Sequence, residues 1–165
     1  MISQKREAEH KDVSILLHNI RSTYNVGSIF RTADAVGVSK IYLSGYTPAP
    51  VDRFGRNRQD ISRASLGAEK TVAWESVDSP FELIKELKKE KVKIIGLEQD
   101  KKSIDYKEIN LDQRSLIILG EEVSGIEKKL IDLCDQIVEI PMFGKKESLN
   151  VSVATGVLLY RIMKI

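Results

Sequence analysis

Six apolar runs recur along the chain, and most of them are continuous instead of alternating with polar residues. The runs are Val13–Leu17, Lys40–Leu43, Thr71–Trp74, Val92–Leu97, Ser115–Leu119 and Gln136–Ile140. A strand with one solvated face alternates apolar and polar side chains, whereas a strand of a parallel sheet is covered on both faces and is apolar throughout. The runs therefore predict the strands of a largely parallel sheet.

Helical patterns separate several of these runs. The first carries an apolar stripe of Val26, Ile29, Phe30, Ala33 and Val36. Gly37 follows the stripe at the position where a helix usually stops. Two capping boxes predict further helix starts, at Ser79–Glu82 with Pro80 in the first helical position and at Ser124–Glu127. Alternating strands and helices predict an α/β layered fold with right-handed crossovers.

Length and composition favour one domain over residues 1–165, with a short charged extension at residues 1–12. The formal net charge of +2 is too small to indicate a nucleic-acid binder by itself. The single cysteine, Cys134, excludes an internal disulfide and is best read as a buried structural thiol. With only two histidines, His10 and His18, a zinc cluster is not predicted. No apolar run is long enough for a membrane span or signal peptide, which favours the cytoplasm.

Three polar segments stand where a strand-like run ends and a helical pattern begins. They are Asn25–Arg31, Gly120–Gly125 and Ile140–Asn150. In an open α/β sheet, loops at the carboxyl ends of strands converge on a ligand, and backbone N–H groups at helix starts can hold it. The three segments therefore predict a shared site.

Each segment also has an interpretation without function. Asn25 could cap the first helix, and Gly27 could simply leave room for a close approach. Arg31 could pair with Asp34 in solvent, or grip a phosphate over a helix N-terminus. Asn150 could cap the final helix and Ser148 could be a turn residue, although the lysines, Met142 and Phe143 beside them suit a pocket.

The final helix, about residues 151–165, has almost no polar face. A helix that is apolar all round must be covered on all sides. A partner subunit is one cover, and burial between the sheet and another helix is the alternative.

The longest irregular segment runs from Gly45 to about Ser65 and carries four arginines beside Phe54: Arg53, Arg56, Arg58 and Arg63. Guanidinium groups next to an aromatic ring can hold phosphates and stack on an unpaired base, which makes this segment the best RNA-binding candidate. Asp52 and Asp60 dilute the charge, so an ordinary solvated loop is the alternative. Neither a glycine-rich dinucleotide fingerprint nor a P-loop motif is present.

In order and spacing, the three segments resemble the three signature motifs of the SpoU/TrmH family, in the SPOUT class of S-adenosylmethionine-dependent RNA methyltransferases. The first motif reads Asn19-Ile-Arg-Ser-Thr-Tyr-Asn-Val-Gly-Ser-Ile-Phe-Arg-Thr-Ala-Asp34, the second spans Ile118–Gly125 and the third spans Ile140–Ser152. The segment Ala64–Glu69 followed by Trp74 looks like the middle region of the family. The resemblance covers the chain from Ile15 to its end.

The resemblance implies a three-layer α/β SPOUT fold with a parallel sheet and a C-terminal trefoil knot. It also implies that S-adenosylmethionine is held in the knot, largely by backbone groups, with Leu97, Gly120, Ile140 and Leu149 lining the pocket. Family members are homodimers that join through the knot region and the final helix. No metal is implied.

The implied reaction is methyl transfer to a ribose 2′-hydroxyl of tRNA or rRNA. By position, Arg31 matches the catalytic arginine of the family, and Asn25 would orient it or the RNA. Glu122 would hold the active-site loop together, while Ser148 and Asn150 would fix the third motif and contact the substrate or partner subunit. A guanidinium stays protonated and cannot be the base alone, so Arg31 is expected to act with a substrate phosphate that it positions.

Many members of the family that the chain resembles carry an added RNA-binding domain or terminal extensions, which are not expected here because only about a dozen residues precede the first strand-like run. Target selection is therefore expected to rest on the dimer surface, the arginine segment, and Lys5 and Arg6 near the N-terminus. Two alternatives stay open: a non-catalytic RNA-binding protein that retains the fold, and a methyltransferase that acts on a base instead of a ribose.

Overall fold

The computed structural model describes residues 11–165. In that range the strands are β1 (Val13–His18), β2 (Lys40–Ser44), β3 (Trp74–Ser76), β4 (Lys93–Leu97), β5 (Ile104–Asp105), β6 (Ser115–Leu119) and β7 (Gln136–Glu139). The α-helices are α1 (Thr23–Val36), α2 (Gln59–Ser65), α3 (Pro80–Lys89), α4 (Lys128–Ile131) and α5 (Val151–Met163). Short 3-10 helices cover Ala68–Lys70 and Tyr106–Glu108. His10, Lys5 and Arg6 lie outside the described residues.

The strands form a single sheet in the order β3-β2-β1-β6-β4-β7-β5, and all neighbouring strands are parallel. Alternate residues of the central strands feed two separate cores. Ile15 and Leu17 pack in a cluster with side chains of α1 and α5, whereas Leu16 packs on the other face with Ile84 and Leu87 of α3. Both faces of the sheet are therefore covered by helices, which confirms the α/β class and explains the continuous apolar runs. The trefoil threading stays a prediction.

The strand predictions differ from the structure in two places. The run predicted as Thr71–Trp74 is displaced toward the C-terminus, because Thr71 and Val72 donate their N–H groups back to Ala68 O and close the 3-10 helix first. Strand β5 has only two residues, too few for a periodic pattern to indicate. The supposedly irregular segment from Gly45 to Ser65 ends in helix α2.

Helix α1 starts three residues earlier than the motif suggested. Its N-cap is Ser22, whose Oγ accepts from Asn25 N at 3.2 Å, so the interpretation of Asn25 as the cap is wrong. Gly37 ends the helix in the left-handed conformation, φ 80°, as predicted. Gly27 lies where α1 meets α2, and a Cβ there would come within 2.6 Å of Ala64 Cβ. Gly27 therefore permits the close approach of α2 to α1.

Of the two predicted capping boxes, the one at the start of α3 forms the hydrogen bond of its serine: Ser79 Oγ accepts from Glu82 N at 3.2 Å. The one at Ser124 is wrong. Helix α4 begins only after Glu127, which makes no side-chain cap, and the Ser124 hydroxyl instead donates to the Glu121 carboxylate. The turn that contains Ser124 closes on itself before a helix can start.

Helix α5 is capped by Asn150, whose Oδ1 accepts from Ser152 N at 2.9 Å, which agrees with one of the two interpretations of this residue from the sequence. The helix packs against α1, where Gly156 faces Thr32, and it buries residues such as Leu158 and Leu159. Val153 and Tyr160 on the opposite side are about half exposed. Within residues 11–165, the helix is therefore not buried on all sides between the sheet and a second helix.

Cys134 is partly buried, and its thiol donates to Leu130 O at 3.3 Å. Burial raises the pKa of this thiol to about 12, which agrees with a structural role. In the part of the chain that the structure covers, no helix has the length and apolar character needed to cross a membrane.

Candidate active site at the ends of three neighbouring strands

A cavity of about 290 Å³ opens at the carboxyl ends of β6, β4 and β7, which are adjacent in the sheet. The last residue of each of these strands contributes to its wall. All four residues predicted to line a cofactor pocket lie on this wall: Leu97, Gly120, Ile140 and Leu149. Glu122 and Ser148 lie there too. The second and third motifs thus meet at one cavity, at the edge where open α/β sheets bind ligands.

The second motif forms a tight closed turn on the cavity wall. Glu121 and Gly125 exchange two backbone hydrogen bonds, with N–O distances of 3.1 and 2.9 Å. A Cβ on Gly120 would lie only 2.4 Å from Gly125 C and from Ile126 N. Glycine at position 120 is therefore required for the turn to fold back against the end of β6, where the turn lines the cavity.

Side chains from the three motifs form one chain of hydrogen bonds beside the cavity. Asn150 Nδ2 donates to Asn25 Oδ1 at 3.1 Å, and Asn25 Nδ2 donates to Glu122 Oε1 at 3.1 Å. Asn25 is buried, with 5% of its surface exposed. Both of its amide atoms are thus engaged, one with each of the other motifs. Asn25, Glu122 and Asn150 are brought together as predicted, although the structure shows Asn25 in contact with protein groups.

The Glu122 carboxylate also holds the segment that precedes α1. It accepts from Ser22 N at 3.1 Å and from Arg21 N at 3.2 Å. Burial alone would raise the pKa of Glu122, but hydrogen bonds from its own N–H, Asn25, Ser22 and Arg21 outweigh burial and hold the pKa below its ordinary value. Glu122 is therefore an anion near neutral pH that joins the first and second motifs.

Arg31 lies in the middle of α1 with an exposed side chain. The pairing with Asp34 is not found: Asp34 Oδ1 accepts from Thr71 Oγ1 at 2.6 Å, and Arg31 has no carboxylate partner among residues 11–165. Because Arg31 is well inside α1, the N-terminus of α1 is not beneath it. The structure does not join Arg31 to the hydrogen-bond chain of Asn25, and its donors are open to a ligand from solvent.

The third motif is exposed along most of its length. Residues 143–150 are all exposed, and Phe143 retains 95% of its accessible surface. Ser148 lies on the cavity wall, and its hydroxyl has no hydrogen-bond partner within the described residues. The expected role of Ser148 in fixing this motif stays a prediction.

The arginine segment is a hydrogen-bonded loop that leads into α2. Val51 and Asn57 form an antiparallel bridge, and Asp52 Oδ1 accepts from Phe54 N at 2.8 Å and from Arg56 N at 3.0 Å. Phe54 is 67% exposed, with the guanidinium carbons of Arg53 and Arg56 at 4.8 and 5.1 Å from its ring centre.

The four arginines differ in their partners. Arg56 Nε donates to Asp52 at 2.8 Å, and Arg58 Nη2 donates to Asp60 at 3.0 Å. Arg53 and Arg63 have no carboxylate partner in the described part of the chain. The charges of Arg53 and Arg63 are thus the least compensated of the four.

His18, at the end of β1, is buried, and its Nδ1 lies 2.8 Å from Ser44 Oγ. Burial lowers the pKa of His18, against the opposing effect of Glu127. A neutral histidine held by neighbouring strands agrees with an incidental role.

The chain matches the model of the SpoU rRNA methylase family over residues 12–160. It is 31% identical to the tRNA (guanosine(18)-2′-O)-methyltransferase of Aquifex aeolicus over 158 residues, which cover 96% of this chain and 72% of that protein. It is also 31% identical to a putative TrmH family tRNA/rRNA methyltransferase of Staphylococcus aureus, covering 99% of this chain and 63% of that protein.

Solved structures agree with the sequence matches. The A. aeolicus TrmH/SpoU tRNA modifying enzyme superposes with a TM-score of 0.82 at 29% identity, covering 94% of this chain and 75% of that one. The SpoU methyltransferase AviRb of Streptomyces viridochromogenes, in complex with S-adenosylmethionine, gives 0.82 at 25% identity, covering 96% of this chain and 62% of that one.

The chain belongs to the SpoU rRNA methylase family. This membership confirms the resemblance predicted from the three motifs and, with the parallel sheet, the fold class. It also confirms an enzyme of the S-adenosylmethionine-dependent RNA methyltransferase class. The alternative of a non-catalytic RNA-binding protein is not favoured, because the SpoU motif residues Asn25, Arg31, Glu122, Ser148 and Asn150 are all present.

The cavity fits the cofactor of a SpoU enzyme. Its walls combine apolar side chains such as Leu97, Ile140 and Leu149 with backbone groups of the glycine turn, a mixture that suits the adenosine part of S-adenosylmethionine. Among residues 11–165, no three histidine, cysteine, aspartate or glutamate side chains come together as candidate metal ligands.

Two residues of this SpoU site were missed from the sequence. Glu98 and Gln99 line the cavity directly after β4. Glu98 accepts from the N–H of Ile126, the residue that follows the second motif, and Gln99 donates to Glu147 O of the third motif. The sequence carries a signal for both residues, because polar side chains at the carboxyl end of a parallel strand lie at the sheet edge where ligands bind.

Proposed function

We propose that this chain transfers a methyl group from S-adenosylmethionine to a ribose 2′-hydroxyl of tRNA or rRNA. The observation that carries the proposal is the convergence of the three SpoU motifs: the cavity is bounded by the second and third motifs, and Asn25 joins both to the first. The 2′-O-methyltransferase named among the relatives supports a ribose hydroxyl over a base.

Leu97, Gly120, Ile140 and Leu149 would hold the cofactor, which supplies an electrophilic methyl group on its sulfonium. A ribose hydroxyl is a poor nucleophile and has to lose its proton as the methyl group is transferred. A guanidinium is not a base in proteins, so the role of Arg31 is to bind and orient a substrate phosphate beside the hydroxyl, and an oxygen of that phosphate takes the proton as the methyl group leaves the sulfonium. Glu122 and Asn150 hold Asn25 and the start of α1, and thereby set the position of the helix that carries Arg31.

The product identifies the reaction directly. Purified protein would be incubated with methyl-labelled S-adenosylmethionine and unmodified tRNA or rRNA, and the RNA digested to nucleosides. Label is expected in a 2′-O-methylated nucleoside. Label in a methylated base would favour the alternative of base methylation, and cofactor binding with no label in either RNA would contradict the proposed substrate.

The same proposal assigns RNA binding to the arginine segment, with Arg53, Arg56 and Arg58 before α2 and Arg63 on α2. Hydrogen bonds to Asp52 fix the backbone at Phe54 and Arg56. Phe54 and the neighbouring Arg53 are therefore held in place before RNA binds, which lowers the entropy cost of binding. An exposed aromatic ring beside an uncompensated guanidinium suits an unpaired base and its phosphate.

Arg53→Ala and Phe54→Ala are each expected to weaken binding of unmodified tRNA by about tenfold in a filter-binding assay. Arg53→Ala should also lower the salt dependence, because one phosphate contact is lost. Arg58→Ala should have a smaller effect, since Asp60 already neutralises that charge. Lys89→Ala, whose ammonium pairs with Glu86 on α3, is the matched control. Equal effects of Arg53 and Arg58 substitution would contradict this ranking.

Homodimer formation through the third motif and α5 remains part of the proposal. It is supported by the exposed apolar residues there, among them Phe143 and Val153. A protein that sediments as a monomer at micromolar concentration would contradict it. The single-domain organisation and a cytoplasmic location are likewise proposed.

A further inference from the structure

The carboxylate of Glu98 is seated against the glycine turn of the second motif. Glu98 Oε2 accepts from Ile126 N at 2.8 Å, and Oε1 accepts from Gln99 N at 2.8 Å. A Cβ on Gly125 would lie 2.0 Å from Glu98 Oε2. Gly125 also has φ 73°, which favours glycine independently. The space left by Gly125 is therefore occupied by this carboxylate.

Gln99 makes the corresponding contact with the third motif. Its Nε2 donates to Glu147 O at 2.7 Å, within the exposed stretch that carries Ser148 and Leu149. Glu98 itself is held to the sheet, because its N–H donates to Val138 O of β7 at 3.0 Å. Two consecutive residues at the end of β4 thus connect the sheet to both loops of the cavity.

We propose that Glu98 and Gln99 are positioning residues that hold the second and third motifs at the spacing required for cofactor binding. This inference rests on the proposed use of the cavity for S-adenosylmethionine. Backbone donors and acceptors bind a ligand tightly only when they are fixed beforehand, since otherwise binding must order them. Gly120 and Leu149 lie on the two loops, so a shift of either loop changes the cavity.

The effect of the hydrogen bonds that Glu98 accepts can be separated from the effect of its negative charge. Other glutamates also line the cavity, so removal of one negative charge could by itself alter the affinity for a cationic cofactor. Glu98→Gln removes the charge but keeps one acceptor oxygen, whereas Glu98→Ala removes both hydrogen bonds. A positioning role predicts that Glu98→Gln lies between wild type and Glu98→Ala. A charge effect alone predicts equal affinities for the two variants.

Asp135→Ala is the matched control. Asp135 Oδ2 accepts from Ile94 N at 2.8 Å, so it ties a backbone N–H near the opposite end of the same strand and lies outside the cavity. Its loss should lower the melting temperature about as much as the loss of Glu98, without altering the cofactor cavity.

Titration calorimetry with S-adenosylmethionine tests the inference on the full chain. Glu98→Ala is expected to raise Kd about tenfold and Gln99→Ala about threefold, with Asp135→Ala near wild type. Glu98→Ala should raise KM for the cofactor more than it lowers kcat, and amide exchange at Ile126 should become faster. Should Glu98→Ala fail to fold, Glu98→Gln and Gln99→Ala carry the same test.

Each outcome has a distinct meaning. Wild-type affinity in both Glu98→Ala and Gln99→Ala would overturn this inference and leave the proposed function standing. Equal weakening in Asp135→Ala would overturn it as well, because the effect would then be one of global stability. A wild-type protein that binds no S-adenosylmethionine would overturn both the cofactor role of the cavity and this inference.

Discussion

Arg31→Ala is expected to reduce methyl transfer by at least about a thousandfold, because the variant loses the group proposed to orient the substrate phosphate at the reacting hydroxyl. The side chain is exposed on a helix that is held by α2 and α5, so its removal should leave the fold intact. Its donors are not used by a carboxylate among residues 11–165, which leaves them available to RNA.

The measurement is single-turnover transfer to unmodified RNA together with calorimetric cofactor binding. Arg31→Lys keeps the charge but lacks the planar fork of donors, and should recover little of the rate. Arg114→Ala is the control: Arg114 is engaged by Asp12 and Glu90 near the amino ends of the strands, far along β6 from the cavity. Unchanged turnover in Arg31→Ala, or loss of cofactor affinity of similar size, would contradict the assigned role.

The layered fold could be predicted because the apolar pattern has a single physical explanation. In β1, Ile15 and Leu17 face one core and Leu16 the other, so a continuous apolar run requires helices on both sides of the sheet. The ends of helices and strands are harder to predict where hydrogen bonds within a turn compete with those of the helix or strand. At Ser124, a turn closed by Glu121 and Gly125 prevents the helix that the capping box predicts.

The order of the motifs predicts which residues form the site, but it does not predict which of these residues contact each other. Asn25 has the residue type of a helix cap, yet Ser22 takes that place and Asn25 is buried between Glu122 and Asn150. Asn25 is 97 positions from Glu122 and 125 positions from Asn150 in the sequence, so no local pattern indicates these contacts. The place of Glu98 at the carboxyl end of a strand can be read from the sequence, but its partner cannot, because the N–H of Ile126 is positioned only by the folded turn.

Glu122→Ala is expected to have the second largest effect, because it affects both stability and activity. The substitution leaves three donors unpaired: the Ser22 N–H, the Arg21 N–H and the Asn25 amide. Loss of charge-assisted hydrogen bonds of this kind costs about 2–4 kcal/mol of unfolding free energy. Since Asn25 and the start of α1 lose their tether, turnover should fall about a hundredfold.

A double-mutant cycle with Asn25→Ala tests how much of the stability lost in Glu122→Ala comes from the hydrogen bond between Asn25 and Glu122. Asn25→Ala removes one of the three donors and also the link to Asn150. The coupling free energy between positions 25 and 122 should be about 1 kcal/mol, measured by denaturant unfolding at pH 7. Strictly additive losses would show that Glu122 acts only through the backbone of Arg21 and Ser22.

The contribution of Glu122 should also depend on pH in a defined direction. Its pKa is lowered in the folded protein, so its stabilising effect is complete above the ordinary glutamate pKa of 4.5 and is lost as the pH falls through the lower folded value. Several other carboxylates, including Asp12 and Asp60, also have lowered pKa values, so the wild type loses stability in acid for more than one reason. The difference between wild type and Glu122→Ala isolates one group: it should be largest near pH 7 and should shrink as the pH falls below about 4. A difference that stays constant over this range would show that the lost interaction is independent of the charge on Glu122.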